Sequence, residues 1–153
     1  MSFYGAGSLR GATTAIARVY ERDTAIPVEL HFGSSGRLER EIERGRIRPD
    51  IFASADLASP RRLVARHLAR RVVPYVHNAL RAVARKSWTT PGMRRPVELN
   101  AEYGFTVPNC AANAPGGDAF GAFLRTPAAQ AIFARFGFAG SRMLHESAST
   151  IAG

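Results

Sequence analysis

The amino-terminal half of the chain repeats one pattern three times, and this repeat limits the possible folds more than any other feature. Each copy has a short apolar run, a turn rich in serine or glycine, and then apolar residues at helical spacing. The apolar runs predict strands at Phe3 to Ala6, Val28 to Phe32 and Asp50 to Ala53. Consecutive strand–helix units predict parallel strands joined by right-handed crossovers. The predicted fold is therefore α/β, an open twisted mostly parallel sheet with helices on both faces.

The turns predict where each helix begins. Ser8 precedes apolar residues at helical spacing and is a predicted N-cap, and the GSSG turn at 33–36 leads into a helix that Gly45 ends. Ser59 and Pro60 predict the N-cap and the first residue of a third helix. His67 shares the apolar face of that helix, which predicts a packed histidine in the core or at its rim.

The rest of the chain is less regular. Residues 1–84 are predicted to form the first part of one lobe, ending in strands at Val72 to Val76 and Leu80 to Ala84. Residues 85–102 lack periodicity and predict a linker or the remnant of a second lobe. Residues 103–140 are predicted to return to the first lobe, and 141–153 to form a tail. The returning part is predicted to contain an additional antiparallel strand at Tyr103 to Val107, a short helix around Phe120 to Leu124, and a helix capped by Thr126 and Pro127 and ended by Gly137.

The positive charge is concentrated in one part of the chain. The net charge is +9, and residues 57–96 contain ten basic and no acidic side chains. This basic block, from Arg61 to Arg95, supports an alternative interpretation as a nucleic-acid-binding α/β domain. Twenty of the 21 basic residues are arginine, which fits either phosphate recognition or codon usage in a GC-rich genome.

Several classes of site have no support in the sequence. Cys110 is the only cysteine, so an intrachain disulfide or a paired-cysteine metal site is impossible. The GAGSLRG segment at 5–11 places its third glycine one residue late for a dinucleotide fingerprint, which makes an enzyme with a nucleotide cofactor the weakest alternative. No apolar run approaches the roughly 18 residues that a membrane-spanning helix needs. The histidines lack the spacing of a metal site; they are His31, His67, His77 and His145.

The carboxylates do not form a predicted catalytic pair. Asp56 follows the third strand and is predicted to act as a cap or turn residue. Acidic and basic residues alternate on the second helix, which predicts a solvated face with ion pairs at i,i+3 and i,i+4 spacing. This face contains Glu39, Glu41 and Glu43 together with Arg37, Arg40 and Arg44.

The two serine turns are the strongest candidate site. In a parallel sheet, Ser8 and the pair Ser34 and Ser35 lie at adjacent strand ends, each at a helix N-terminus where backbone N–H groups and a partial positive charge face outward. Small hydroxyl groups and glycines suit a tetrahedral oxyanion because the backbone can approach it closely. The alternative is that Ser8 and Ser35 are only N-caps. The predicted oxyanion-binding residues are Ser8, Leu9, Ser34 and Ser35.

Five segments, taken in order, resemble the molybdate-binding solute receptors of ABC transporters. They are YGAGSLR at 4–10, FGSSGRL at 32–38, PDIFASAD at 49–56, YGFTV at 103–107, and PAAQAIF at 127–133 followed by FGF at 136–138. The resemblance covers both ends of the chain. It implies a lobe like those of periplasmic binding proteins, with Ser8 and Ser35 as the first-lobe ligands of molybdate or tungstate.

The resemblance also implies partners and a departure from the family. It implies a non-enzymatic receptor without cofactor that delivers its oxyanion to a membrane permease. The stretch that builds most of the second lobe is absent between about Arg85 and Val97, which looks like an internal deletion, and self-association through the uncovered surface is expected. The family is periplasmic, whereas the printed sequence has no export signal, which predicts a cytoplasmic location if its start is genuine.

Overall fold

The first apolar run forms β1 (Ser2–Ala6), which lies between two parallel neighbours, β2 (Glu29–Gly33) and β3 (Ile51–Ser54). The computed structural model describes residues 1–81 and 98–141. Two long strands, β4 (Val73–Arg81) and β5 (Glu98–Thr106), extend this sheet, and β6 (Phe138–Gly140) completes it. The strand order is β2-β1-β3-β5-β4-β6.

The strand directions divide the sheet into two parts. β1 pairs in parallel with β2 and β3, whereas β5 is antiparallel to both β3 and β4, and β6 is antiparallel to β4. Strands β1 to β4 therefore run in one direction, and β5 and β6 run in the other. The predicted α/β sheet is confirmed, with parallel pairing on its β2–β1–β3 side, and β5 is the expected antiparallel return strand.

Helices cover both faces because successive residues of a strand point to opposite sides. Phe3 and Ile51 join the core under one set of helices, while Phe52 joins a smaller core on the other face. The first set is α1 (Arg10–Thr24), α4 (Ala114–Leu124) and α5 (Pro127–Arg135), and the second is α2 (Ser35–Glu43) and α3 (Ala58–Ala65).

Asp50 ties three elements together at the amino ends of the parallel strands. Its carboxylate accepts hydrogen bonds from the backbone N–H of Ser2 at 2.7 Å and of Asn113 at 2.8 Å. Helix α4 lies so close that a Cβ on Gly117 would collide with the carbonyl oxygen of Asp50. Glycine is therefore required there for α4 to pack.

Three local predictions are wrong. The two strands expected on either side of Asn78 are one continuous strand, β4, because β5 pairs with it through that position. Helix α3 begins at Ala58, so Pro60 is its third residue and not its first. Asp56 accepts from the N–H of Ser59 at 2.6 Å, so Asp56 supplies the capping bond and Ser59 does not. His67 is exposed just beyond α3 with φ 58°, because the helix ends at Ala65.

Other predictions fall at or beyond the limits of the described residues. β5 begins at Glu98, within the stretch predicted to be a linker, while residues 82–97 and the predicted tail after Ser141 lie outside the described residues. Helix α4 is longer than predicted and begins at Ala114. The Thr126 cap is confirmed, since its side chain accepts from the N–H of Ala129. Among residues 1–81 and 98–141, no helix combines the length and apolar character needed to span a membrane.

Candidate functional site

The carboxyl ends of β1, β2 and β3 meet at one edge of the sheet. The parallel register places Ala6 beside Gly33 and Gly5 beside Ala53, so the turns that follow the three strands are neighbours. Open α/β sheets bind ligands outside the carboxyl ends of their strands, in the crevice where helices leave on opposite faces. The structure thus brings the two serine turns together, as the sequence predicted.

Ser8 lies in a single 3-10 turn (Gly7–Leu9) between β1 and α1, and its side chain is exposed. It makes no capping hydrogen bond to either helical segment, so the N-cap interpretation of Ser8 is wrong. The reason is that the 3-10 turn moves the start of α1 to Arg10, two residues past Ser8. The hydroxyl of Ser8 lies 3.1 Å from the hydroxyl of Tyr103 instead.

Ser34 and Ser35 have different environments at the start of α2. Ser34 is the exposed residue at the N-cap position, with an extended backbone and no side-chain capping bond. Ser35 is the first helical residue, so the N-cap interpretation of Ser35 is wrong. It is buried, and its oxygen accepts from the N–H of Ala55 at 3.0 Å. This bond joins the α2 turn to the end of β3, and it leaves the hydroxyl proton of Ser35 able to donate.

Leu9 enters the site only through its backbone. Its side chain is completely buried in the core under α1. An apolar side chain gives an anion no hydrogen bond, so any contribution of Leu9 comes from its N–H group.

Tyr103 belongs to this edge although sequence reasoning did not assign it. It lies on β5, where the strand continues past the end of β3 at the pairing of Ser54 with Gly104. The ring is 4% exposed and packs edge-on against Phe138 at 5.2 Å, so the hydroxyl is held beside Ser8. Burial raises the pKa of the neighbouring Tyr75 well above its usual value, with a further contribution from Tyr103, so Tyr75 stays neutral. Tyr103 is the first residue of the YGFTV motif, which was the available signal, but its partner Ser8 lies 95 residues away.

Two arginines add positive charge near the serine turns. The guanidinium of Arg10 lies over the ring of Phe32 at 4.8 Å from its centre. The guanidinium of Arg37 lies against Gly33, where a Cβ would meet its terminal nitrogen at 2.8 Å. Both side chains are exposed, and their guanidinium groups raise the local positive potential.

Two of the three glutamates of α2 pair with arginines on or just after α3, so the predicted ion pairs within one helix are wrong, whereas most charged side chains of this face are exposed as predicted. Glu39 is 6% exposed, and Arg62 donates to its two oxygens at 2.7 Å and 2.6 Å. These hydrogen bonds hold the pKa of Glu39 below its usual value. Glu43, which is exposed, pairs with Arg66, the residue that follows α3. The reason is that α2 and α3 pack side by side on one face, which spacing within a helix does not reveal.

These pairs also bear on the basic block. Arg62, Arg66 and Arg70 each have a carboxylate partner, Arg70 through Asp118 at 3.1 Å. Three guanidinium groups on which a nucleic-acid interface would depend are therefore already engaged.

His31 on β2 contacts two neighbouring side chains. His31 stacks on Tyr4 with ring centres 4.3 Å apart and lies 2.7 Å from the carboxylate of Glu29. Within the described ranges, no group of three or more histidine, cysteine, aspartate or glutamate side chains is arranged to hold a metal ion.

The chain matches the sequence pattern of one protein family over most of its length. The sequence pattern of the bacterial extracellular solute-binding proteins matches residues 1–92 and 92–139. An uncharacterised protein of Pasteurella multocida is 37% identical over 90 residues, which is 59% of this chain and 37% of that protein. The chain thus spans well under half the length of this curated relative.

Solved structures with the same fold include receptors for inorganic anions. The periplasmic molybdate-binding protein of Azotobacter vinelandii superposes with a TM-score of 0.75 at 13% identity, covering 90% of this chain and 98% of that chain. A substrate-binding domain from Clostridium difficile, described as part of a molybdenum ABC transporter, has a TM-score of 0.74 at 14% identity, with 93% and 99% covered. A sulfate-binding protein of Mycobacterium tuberculosis has a TM-score of 0.68 at 11% identity, with 93% and 87% covered.

Proposed function

Because the chain belongs to the bacterial extracellular solute-binding protein family, we propose that it binds a tetrahedral oxyanion, with molybdate as the preferred ligand, at the serine edge of its sheet. We define the serine edge as Ser8, Ser34, Ser35 and the backbone N–H of Leu9. The protein acts as a receptor that hands the anion to a membrane permease, and it needs no cofactor and catalyses no reaction. Tungstate has the same shape and charge and is the expected second ligand.

The observation that carries this proposal is the meeting of two serine turns, each at the start of a helix, on adjacent parallel strands. The hydroxyl of Ser35 already accepts from Ala55, so its proton is available to an anion. Helices α1 and α2 direct their N-terminal N–H groups and partial positive charges to the same edge. Neutral donors of this kind hold an oxyanion without a buried counter-ion.

Tyr103 supplies a further hydroxyl donor. It lies on β5, on the other side of β1 from the turn that contains Ser34 and Ser35. A phenol can donate one hydrogen bond, and its position 3.1 Å from Ser8 lets both groups reach one bound oxygen atom. Arg10 and Arg37 attract the anion from a distance, since their exposed guanidinium groups lie near the edge.

The chain is proposed to be an internally shortened member of its family. Strands β4 and β5 continue as a two-stranded ribbon beyond the end of β3, with pairing as far as Arg81 and Glu98. The family pattern matches in two stretches that meet at residue 92, between these two strands. Both observations support a missing segment at the place where the chain would cross to a second lobe.

The periplasm is the proposed location, because the family to which the chain belongs is described as extracellular. Cell fractionation of the native host, with detection of the protein in the periplasmic fraction, tests this location.

A thermal-shift titration tests the proposed ligand. At about a hundred times its dissociation constant, a ligand that binds only the folded state adds about 2.7 kcal/mol, which raises the melting temperature by several degrees in a domain of this size. We expect this rise with molybdate and tungstate in high salt, where weak binding to exposed charges is screened. An unchanged melting temperature at millimolar molybdate, with sodium chloride of equal ionic strength as the control, contradicts the proposal.

A further inference from the structure

A cavity lies at the amino ends of the parallel strands, at the opposite edge of the sheet from the serine turns. It has a volume of about 390 Å³ and opens between the start of β4, the end of β5 and one face of α4. We call it the arginine cleft. Its lining residues are Arg70, Arg71, Val73, Phe105, Thr106, Val107, Asp118, Ala122 and Arg125.

The floor of the arginine cleft is apolar and well ordered by packing. Phe105 and Val107 are 6% and 5% exposed, and the ring of Phe105 packs edge-on against Tyr75 at 5.4 Å. Thr106 is also buried, and its hydroxyl donates to the carbonyl oxygen of Arg71 at 2.6 Å. This bond fixes the backbone of Arg71 at the rim and uses the hydroxyl of Thr106, so the floor itself offers an apolar surface.

The rim has an excess of positive charge. Three guanidinium groups line the cleft against one carboxylate, and Asp118 is already engaged by Arg70 at 3.1 Å. Arg71 and Arg125 have no carboxylate within ion-pair distance among residues 1–81 and 98–141. An occupant of this cleft therefore meets two uncompensated planar cations above an apolar floor.

We propose that the arginine cleft is a second ligand site, which binds a small organic anion with one carboxylate and an apolar body. The planar guanidinium forks of Arg71 and Arg125 match the geometry of a carboxylate. The apolar body covers Phe105, Val107 and Ala122, which an inorganic oxyanion would leave exposed to water. The cavity volume lies within the range of roughly 300 to 1,000 Å³ typical of small-molecule sites. This site is independent of the proposed oxyanion function, because it lies at the opposite edge of the sheet.

Benzoate is a suitable probe, with benzamide as an uncharged control of the same shape. In a two-dimensional amide NMR titration, we expect benzoate to shift the signals of Phe105, Val107 and Ala122 with a dissociation constant of about 1 mM. The signals of Ser8 and Ser35 should remain in place. Molybdate should produce the reverse pattern, so failure of one site is distinguishable from failure of the other.

Charge removal at the rim provides the decisive comparison. Arg71→Gln and Arg125→Gln each remove one charge-assisted contact, and we expect each to weaken benzoate binding about tenfold. Arg135→Gln is the matched control, since Arg135 is an exposed arginine on α5 outside the cleft. Well-dispersed amide spectra will show that the variants are folded. Equal shifts with benzamide, or unchanged benzoate affinity in both rim variants, would overturn the proposal.

Discussion

Ser8 and Ser35 present their hydroxyl groups to the same edge but differ in what the fold requires of them. Ser8 is exposed, whereas Ser35 is buried and accepts from Ala55. A hydroxyl that donates to a charged ligand contributes about 1.5 to 3 kcal/mol. We therefore expect Ser8→Ala and Ser35→Ala each to weaken molybdate binding at least tenfold in calorimetric titration, with Ser35→Ala also lowering the free energy of unfolding by about 1 kcal/mol.

Thr126→Ala is the matched control for these serine variants. Thr126 caps α5 through its hydroxyl, and this cap lies away from the serine edge. Loss of such a cap costs about 1 kcal/mol of stability. We expect a lower urea midpoint and unchanged molybdate affinity. If the serine variants behave like this control, the serines are structural and bind no anion.

Tyr103→Phe tests the hydroxyl contributed by β5. Phenylalanine keeps the ring packing against Phe138 and removes only the group that lies 3.1 Å from Ser8. We expect molybdate binding to weaken about fivefold, since one hydrogen bond contributes about 1 kcal/mol. Tyr20→Phe, at another buried tyrosine with edge-on ring packing, should bind molybdate like the wild type. Tighter binding by Tyr103→Phe would instead show that Tyr103 competes with the anion for Ser8.

At the scale of elements, the ion pair between Glu39 and Arg62 joins α2 to α3. Because Arg62 lowers the pKa of Glu39 in the folded state from the usual 4.5, the pair stabilises the fold above pH 4.5. This contribution is lost as the pH falls through the lowered pKa. We expect urea midpoints of the wild type to fall below pH 4.5, and Glu39→Gln to lack this part of the decrease.

Glu41→Gln is the matched control on the same helix. Glu41 lies 3.6 Å from Arg46, a mostly exposed partner, so the pair is screened by solvent. We expect its urea midpoints to follow the wild-type pH dependence. An identical acid response of Glu39→Gln and the wild type would show that the pairing of α2 with α3 does not depend on this carboxylate.

At the scale of the whole molecule, the proposed internal shortening implies that a single lobe supplies donors to one side of an oxyanion only. The other side stays in water, where solvent competes for the remaining hydrogen bonds. We therefore expect molybdate to bind with a free energy on the order of −5 to −6 kcal/mol, a dissociation constant of about 40 to 200 μM.

The ribbon of β4 and β5 predicts self-association of the whole chain. The ribbon consists of residues 79–81 of β4 and 98–103 of β5. Within the described part of the sheet, no third strand pairs with these residues. Unpaired strand edges favour pairing with another chain. Sedimentation velocity together with molybdate titration tests both expectations. A chain that is monomeric at all concentrations and binds molybdate with nanomolar affinity would show that neither property requires a second lobe.

Local patterns were sufficient for much of the fold. Alternating apolar residues located β2, and Thr126 with Pro127 located the start of α5, because strand alternation and capping involve residues close in sequence. His67 was misplaced for the same reason, since the periodic pattern continued past the point where α3 ends. Periodicity alone does not show where a helix loses its packing partners.

The sequence by itself determined the order of strand, serine turn and helix. This order places Ser8 and Ser35 at one edge of the sheet, because parallel strands bring their carboxyl ends together. Only the tertiary structure decided that Tyr103 stands beside Ser8 and that Glu39 pairs with Arg62. The physical reason is that these contacts join residues 95 and 23 positions apart. The distances between these side chains depend on how strands and helices pack, and a sequence pattern within one element does not predict that packing.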